Sequence, residues 1–331
     1  MTPTDEFYMR RCLRLAACGR GHTRPNPLVG SVVVKAGRIV SEGYHRCYGQ
    51  YHAERNALLL ASAADCLDAT LYVNLEPCSH YGHTPPCANL IVERGIRRVV
   101  CACDDPNPLV SGRGFSLLER AGIEVERHVL EADGRRLNRR FFTMMEQRRP
   151  YVILKWAESS DGFIAPADNR PYWLTLPWQD RLNHRWRTEE AAIVVGSETY
   201  LRDHPQLTPR HVCGPAPQPV VIDRRSRLTD VPSHWLHLHT ATPEATLQEL
   251  FQRGLQSVII EGGRLLLDAF LQADLYDEVR LLRSPRPLGS GLSAPDRRSI
   301  DPRRLTVYDW QLQPLAAHPA TEPPTPLHTH V

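Results

Sequence analysis

Two hydrophobic periods alternate along this chain. In residues 5–18 the apolar positions recur at helical spacing, which predicts an amphipathic helix. Val29–Val34 and Arg38–Tyr44 are rich in β-branched residues around a turn at Ala36-Gly37, the pattern of two strands. A helix is expected from His52 through the Ala/Leu-rich stretch to Ala64. Strands are then predicted at Thr70–Leu75, Arg97–Ala102 and Ile123–Arg127, with helices at Ala88–Arg94 and Ser111–Ala121. A further helix over Ala132–Gln147 must stop at Arg148-Arg149-Pro150, because proline lacks the N–H and disfavours helical backbone in the residue before it. A domain boundary is expected there, dividing residues 1–147 from 151–312. The second half reads as strands at Tyr151–Ala157, Ala191–Val195, Pro219–Ile222, Trp235–His239, Ser257–Glu261 and Glu278–Arg283, with helices at Gln179–Thr188, Pro243–Arg253 and Arg264–Leu271. Both halves therefore predict layered α/β architecture. The tail, 313–331, is rich in Pro, Thr, His and Ala and is expected to be flexible.

Composition adds exclusions. With 42% hydrophobic and 23% charged residues in 331, the chain has matter for ordinary cores, and its length favours two domains. No run approaches the ~18 apolar residues of a membrane span, and Asp5, Glu6, Arg10 and Arg11 stand where a signal peptide would be apolar. A soluble, cytoplasmic protein without a membrane partner is expected. The formal charge is only +3 and the basic residues are dispersed, so no electrostatic footprint for nucleic acid is visible. Nine cysteines, eight of them within the first 103 residues, point to metal, catalysis or core filling, since disulfide frameworks belong to short secreted chains.

The strongest chemical signal is His52-Ala53-Glu54, followed by Pro77-Cys78 and, nine positions on, Cys87. One imidazole and two thiolates leave a four-coordinate zinc an open position, and open zinc sites are catalytic. Zinc brings the pKa of a water in that position towards neutrality, and a carboxylate two residues from the histidine can pass its proton to a leaving amine. Nucleobase deaminases use this arrangement, with a Pro-Cys-x-x-Cys signature. Here eight residues, Ser79 to Pro86, separate the cysteines. Asn26, between two prolines, sits on a stiffened turn that could aim its amide at a ligand or serve only as a turn. Cys101 and Cys103 alternate on a strand with no histidine nearby and read as core filling.

Pro25-Asn26-Pro27-Leu28-Val29-Gly30, His52-Ala53-Glu54 and the run from Glu76 to Cys87, with its long loop, resemble the bifunctional riboflavin-biosynthesis deaminase-reductases, the RibD family. Asp105-Pro106-Asn107-Pro108 and Gly112-Arg113-Gly114 are similar to the segment that follows in that family. Lys155-Trp156-Ala157, Ser160-Asp161-Gly162, Trp173-Leu174-Thr175, Arg187, Thr199, the run from Asp203 to Arg210 and Glu261-Gly262-Gly263 occur in the order of its reductase domain. The resemblance implies a cytidine-deaminase-like three-layer α/β/α domain, then a dihydrofolate-reductase-like α/β domain, with zinc and NADPH as cofactors. It implies hydrolytic deamination of a phosphorylated diaminopyrimidinone, then reduction of its ribosyl group to ribityl, by a homo-oligomer. Zinc ligation falls to His52, Cys78 and Cys87 and proton transfer to Glu54. Substrate contacts fall to Asn26, His45, His80, His83, Lys155, Arg187, Leu207, Arg210 and Glu261; NADPH contacts fall to Ala157, Trp173, Thr199, Asp203, Gly262 and Gly263.

The residues themselves leave more room. No Gly-x-Gly-x-x-Gly follows a strand, which argues against a Rossmann domain, whereas Glu261-Gly262-Gly263 between a strand and a helix could hold a pyrophosphate or merely turn the chain. Arg187 and Arg210 suit a phosphate, since guanidinium forks match its oxygens, or are solvated charge. Thr199 and Asp203 could equally cap a helix. In Trp235-Leu236-His237-Leu238-His239 alternation puts leucines on one face and histidines on the other, an ordinary strand. Two positions depart from the family: His83 stands where Lys or Arg is usual, and Phe163 follows Asp161-Gly162 where Lys or Arg often does. Two rival functions are a nucleic-acid deaminase with a binding module, disfavoured by 7% aromatic residues and near-zero charge, and a deaminase with a non-catalytic second domain.

Overall fold

The computed structural model describes residues 2–79, 85–107, 111–168 and 172–311. Among them, the first half runs α1 (Pro3–Ala17), β1 (Gly30–Lys35), β2 (Arg38–Tyr44), α2 (Ala53–Leu60), α3 (Ala63–Cys66), β3 (Thr70–Val73), α4 (Cys87–Glu93), β4 (Arg98–Cys101), α5 (Arg113–Arg120), β5 (Glu124–Glu126), α6 (Glu131–Leu137) and α7 (Arg139–Gln147). The strands form a five-stranded sheet in the order β2-β1-β3-β4-β5, antiparallel around β1 and parallel from β3 to β5. Strand alternation sends Val33, Leu71, Val73 and Val99 to one face, where they meet Ala57 and Leu58 of α2, Ile91 of α4 and Leu118 of α5. Val32, Val34, Tyr72 and Val100 go to the other, against Met9 and Cys12 of α1 and Phe141 and Phe142 of α7. Helices thus cover both faces, the three-layer α/β/α arrangement. Cys101 and Cys103 are buried, as core filling requires.

Two expected helices are broken. The helix from His52 ends at Leu60, and Ser62, whose hydroxyl accepts from Asp65 N, caps a separate short helix. The helix over Ala132–Gln147 divides at Asn138, whose side chain leaves helical company to bind the backbone of Leu28.

The second half runs β6 (Tyr151–Glu158), β7 (Phe163–Pro166), α8 (Pro177–Glu189), β8 (Ala192–Gly196), α9 (Ser197–Asp203), β9 (Gln218–Ile222), β10 (Leu236–Leu238), α10 (Pro243–Gln252), β11 (Ser257–Glu261), α11 (Arg264–Gln272), β12 (Glu278–Arg283), β13 (Gly291–Ser293) and β14 (Leu305–Tyr308). Seven strands form a parallel sheet, β10-β9-β8-β11-β6-β12-β14, and β7 pairs with β13 apart from it. Continuous apolar runs such as Ala192–Val195 and Val258–Ile260 suit strands buried on both faces. Val152, Leu154, Val194 and Ile260 pack on α10 and α11 through Leu250 and Phe270. Ile153, Ile193, Val221 and Ile259 pack on Trp186 of α8. Short β7, α9, β13 and β14 were not expected from the sequence. Phe163 opens β7, and Asp161 before it accepts from Leu288 N and Gly289 N, which gives that motif a loop-holding role. No helix among the described residues is long and apolar enough to cross a membrane.

The halves meet at a buried charge network. Arg140 of α7 grips Glu190, the residue after α8, with Nε to Oε2 at 2.7 Å and a second bond from its other nitrogen. Arg280 on β12 lies 3.6 Å from the same carboxylate. Arg139 and the Tyr151 hydroxyl both donate to Glu278, at 3.3 and 3.2 Å. Gly21 packs so closely on the Thr188 carbonyl that a Cβ there would collide with it, and its φ of +83° is one that L side chains rarely adopt.

Candidate functional sites

The first site lies where two helices begin. His52 is the N-cap residue of α2, Glu54 lies in its first turn, and Cys87 opens α4. His52 Nδ1 is 3.5 Å from Cys78 Sγ and 3.5 Å from Cys87 Sγ, and Cys87 N donates to Cys78 Sγ at 3.3 Å. Zinc–sulfur and zinc–nitrogen bonds of ~2.3 and ~2.0–2.1 Å at tetrahedral angles put ligand atoms ~3.6 Å apart, so these separations fit one ion. Hydrogen bonds from Cys87 and His52 lower the Cys78 thiol's pKa, while Cys87, donating from a buried position, is raised. Glu54 is 3% exposed, its Oε2 has no partner among the described residues, and burial pushes its carboxyl up to about 7. A buried carboxyl with an unpartnered oxygen beside two sulfurs is what a metal and its proton shuttle require.

A cavity of about 360 Å³ opens onto this cluster, lined by Asn26, His45, His52, Glu54 and Cys78 and also by Asp105 and Asn107. His45 Nδ1 lies 3.0 Å from Tyr51 O and its Nε2 3.2 Å from Asn26 Nδ2. Burial lowers the His45 pKa. The neutral ring therefore donates to the carbonyl, accepts from the Asn26 amide and leaves Asn26 Oδ1 for a ligand. Phe141, Met144 and Met145 of α7 line it too, together with Gly254 from the second half. His80 and His83 lie outside the described residues.

The second site is a cavity of about 740 Å³ at the carboxyl ends of β6, β8 and β11, the position where open α/β sheets bind ligands. Lys155, Arg187, Leu207, Arg210 and Glu261 line it, and so do Ala157, Trp173, Thr199, Asp203, Gly262 and Gly263. Lys155 Nζ is 2.5 Å from Glu261 Oε1, its cross-strand neighbour, and Arg187 is 3.3 Å from Oε2. Burial raises the Glu261 pKa, but Lys155 and Arg187 outweigh it and hold the carboxyl at about 2. Arg187 also donates to Thr208 O. Arg210 is exposed, bonded through its side chain to Gln206, while its backbone N–H donates to His184 Nδ1 at 2.7 Å. Burial, with Arg187 nearby, brings His184 down to about 4, so it stays neutral and accepts. Gly263 N donates to Thr199 Oγ1 at 3.2 Å, and Gly263 caps α11 without a side chain. A Cβ on Gly262 would meet Gly196 N, Leu266 and Thr199 at 3.6 Å, ordinary contact, so the protein's own packing does not by itself demand a glycine there.

Residues 2–103 match the cytidine and deoxycytidylate deaminase zinc-binding region, and residues 150–313 match the RibD C-terminal domain. The riboflavin biosynthesis protein RibD of Aquifex aeolicus is 38% identical, over 90% of this chain and 92% of its own. The chain belongs to the RibD family. The RibD of Actinobacillus pleuropneumoniae is 46% identical over 87% of this chain and 85% of its own. A solved diaminohydroxyphosphoribosylaminopyrimidine deaminase/5-amino-6-(5-phosphoribosylamino)uracil reductase from Thermotoga maritima superimposes with a TM-score of 0.83 at 37% identity, covering 90% of this chain and 93% of that one. As a RibD enzyme the chain is bifunctional, a zinc-binding deaminase joined to an NADPH-dependent reductase of riboflavin biosynthesis.

Three buried residues hold this RibD deaminase site in shape through contacts that the sequence does not show. Asn138 and Asn74 donate to Leu28 O, each at 2.9 Å, while their oxygens accept from Leu28 N and Gly30 N, each at 2.7 Å. The strip after Asn26 is thereby fixed against the sheet. Glu76 accepts from Asp105 N, Gly112 N and Gly114 N and ties the Asp105 segment to α5. The sequence offers Glu76 only as the residue before Pro77-Cys78, and the asparagines' partners come from the fold.

Proposed function

We propose that residues 1–147 carry the deamination of 2,5-diamino-6-(5-phosphoribosylamino)pyrimidin-4-one and residues 151–312 the reduction of the deaminated product. The observation that carries this reading is the meeting of His52, Cys78 and Cys87 around one point beside an unpartnered buried Glu54. His52, Cys78 and Cys87 would hold a zinc ion, whose chemistry there would be to acidify a water for use as nucleophile. Glu54 would take a proton from the attacking water and hand it to the departing amine, which would leave as ammonia. Asn26, oriented by His45, accepts from the pyrimidine ring and places the reacting carbon. The second cavity would hold NADPH, whose chemistry there would be hydride donation to C1′ of the ribosyl group. Gly262 and Gly263, beside Thr199, receive the cofactor's phosphates at the start of α11. Lys155 and Glu261 hold the sugar hydroxyls, and Arg187 and Arg210 face the substrate phosphate.

Incubating zinc-loaded protein with the diamino substrate tests the whole reading. Without NADPH the product should show one amine replaced by oxygen, and with NADPH a further gain of two hydrogens. Deamination with no NADPH oxidation would favour a second domain that only binds.

Arg210→Ala should raise KM for the deaminated substrate by about 10- to 150-fold, since hydrogen bonds to charged groups contribute roughly 1.5–3 kcal/mol. The KM for NADPH should change little, because its proposed contacts, Thr199, Gly262 and Gly263, are untouched. Steady-state kinetics with each ligand varied in turn measures this, and equal losses for both would remove the phosphate role.

A further inference from the structure

One cluster in the second half serves neither reaction. β9 ends at Ile222 and passes to Asp223, and β10 runs parallel beside it as the edge strand, with His237 opposite Val221. Alternation sends Leu236 and Leu238 to the core. His237 and His239 share the other face, with ring centroids 4.4 Å apart. The sequence reads this stripe as an ordinary strand, because the third group lies fourteen residues before His237 and only the parallel pairing of β9 with β10 brings it alongside.

That group is the Asp223 carboxylate, which is 0% exposed. Its Oδ2 accepts from Leu228 N at 2.8 Å and lies 3.5 Å from His237 Nε2, too far for a good hydrogen bond. Asp223 Oδ1 and His237 Nε2, both buried atoms, have no hydrogen-bond partner among the described residues. His239 Nδ1 is 2.9 Å from the Asp223 carbonyl oxygen. With that N–H donated, Nε2 carries the lone pair. A ligating histidine typically has its other ring nitrogen fixed in this way. One donor atom from each of the three residues lies within 4.8 Å of the others, and tetrahedral zinc would set its N and O ligands ~3.4 Å apart.

We propose that Asp223, His237 and His239 form a second metal site, for a borderline divalent transition ion such as zinc, with water completing its shell. The ion satisfies the unpartnered oxygen and nitrogen together, and it ties the three-residue edge strand β10 to β9. Its two-nitrogen, one-oxygen donor set has no thiolate, which separates it chemically from the His52–Cys78–Cys87 site.

The test is metal content of the full-length, untagged chain after dialysis against buffered zinc. Wild type should hold two zinc ions per chain. His237→Gln/His239→Gln should hold one and retain deaminase turnover, while Cys87→Ser should hold the other. The sequence has another His-x-His at His328-Thr329-His330, so His328→Gln/His330→Gln is measured alongside and should keep both ions. With cobalt as the probe, the His237/His239 double variant should lose visible d–d intensity and none of the sulfur-to-cobalt charge transfer. Should the double variant misfold, the single His239→Gln change at the exposed edge should still weaken the second zinc more than about 10-fold. Zinc content equal to wild type in the His237/His239 variants, or a wild type that binds a single ion lost in Cys87→Ser, would overturn the site.

Discussion

The Glu54→Gln chain keeps its zinc and loses deamination by about 10²–10⁴-fold, the usual worth of a positioned general acid–base. Glutamine preserves shape and leaves His52, Cys78 and Cys87 untouched, but it cannot take up and return a proton. Glu54 is the only carboxylate in the first turn of α2 and lies buried against the ligand cluster. No neighbouring group on that turn can replace it. NADPH oxidation with deaminated substrate should proceed at the wild-type rate, because the second cavity is built from other elements. Cys87→Ser is the paired control: it removes a thiolate ligand, so metal content and deamination fall together. Metal analysis and ammonia release on both variants separate the roles. Zinc loss in Glu54→Gln, or near-normal deamination by it, would assign the shuttle elsewhere.

The other large effect lies at the junction. Arg140→Met should destabilise the chain by about 3–5 kcal/mol, the cost of removing one partner from a buried ion pair. Glu190 is 0% exposed and would retain the Ser257 hydroxyl and Arg280, the latter 3.6 Å away. Arg140→Met/Glu190→Met should recover part of that loss, since apolar side chains can fill the space. The effect carries a pH signature. Burial pushes the Glu190 carboxyl up, but Arg140, with Arg280 behind it, brings it down from 4.5 to about 2. A carboxyl depressed in the folded state stabilises fully above its unfolded pKa and loses that contribution as pH falls through the folded value. The gap between wild type and Arg140→Met should therefore be widest at neutral pH and narrow between about pH 4.5 and 2. Urea unfolding at pH 7 and pH 3 measures it; equal midpoints at pH 7 would show that the pair contributes nothing.

The meeting of His52, Cys78 and Cys87 was legible in the sequence because these residue types are restrictive and all three fall within 36 residues, His52 to Cys87. The strands were legible for a similar local reason: runs such as Val152–Leu154 and Val258–Ile260 suit little besides a buried strand. What escaped depends on contacts far apart in the chain. Helical propensity holds on both sides of Asn138, and the break there follows from its bonds to Leu28, 110 residues earlier. Arg140 reads as one more surface arginine until Glu190 is placed on it. His237 and His239 look idle until β9 delivers Asp223. Short elements such as β13, Gly291–Ser293, carry too few residues to show a period.

Gly254 gives the deaminase a dependence on heat that its own residues do not reveal. It belongs to the half that houses the reductase cavity, yet it lines the same cavity as His52, Glu54 and Cys78. As temperature rises, melting of the second half would remove Gly254 from that lining while Phe141, Met144 and Met145 of α7 stayed with the first sheet. Deamination would then weaken at the melting temperature of the reductase half, and a chain severed between residues 147 and 151 would begin with that contact already missing.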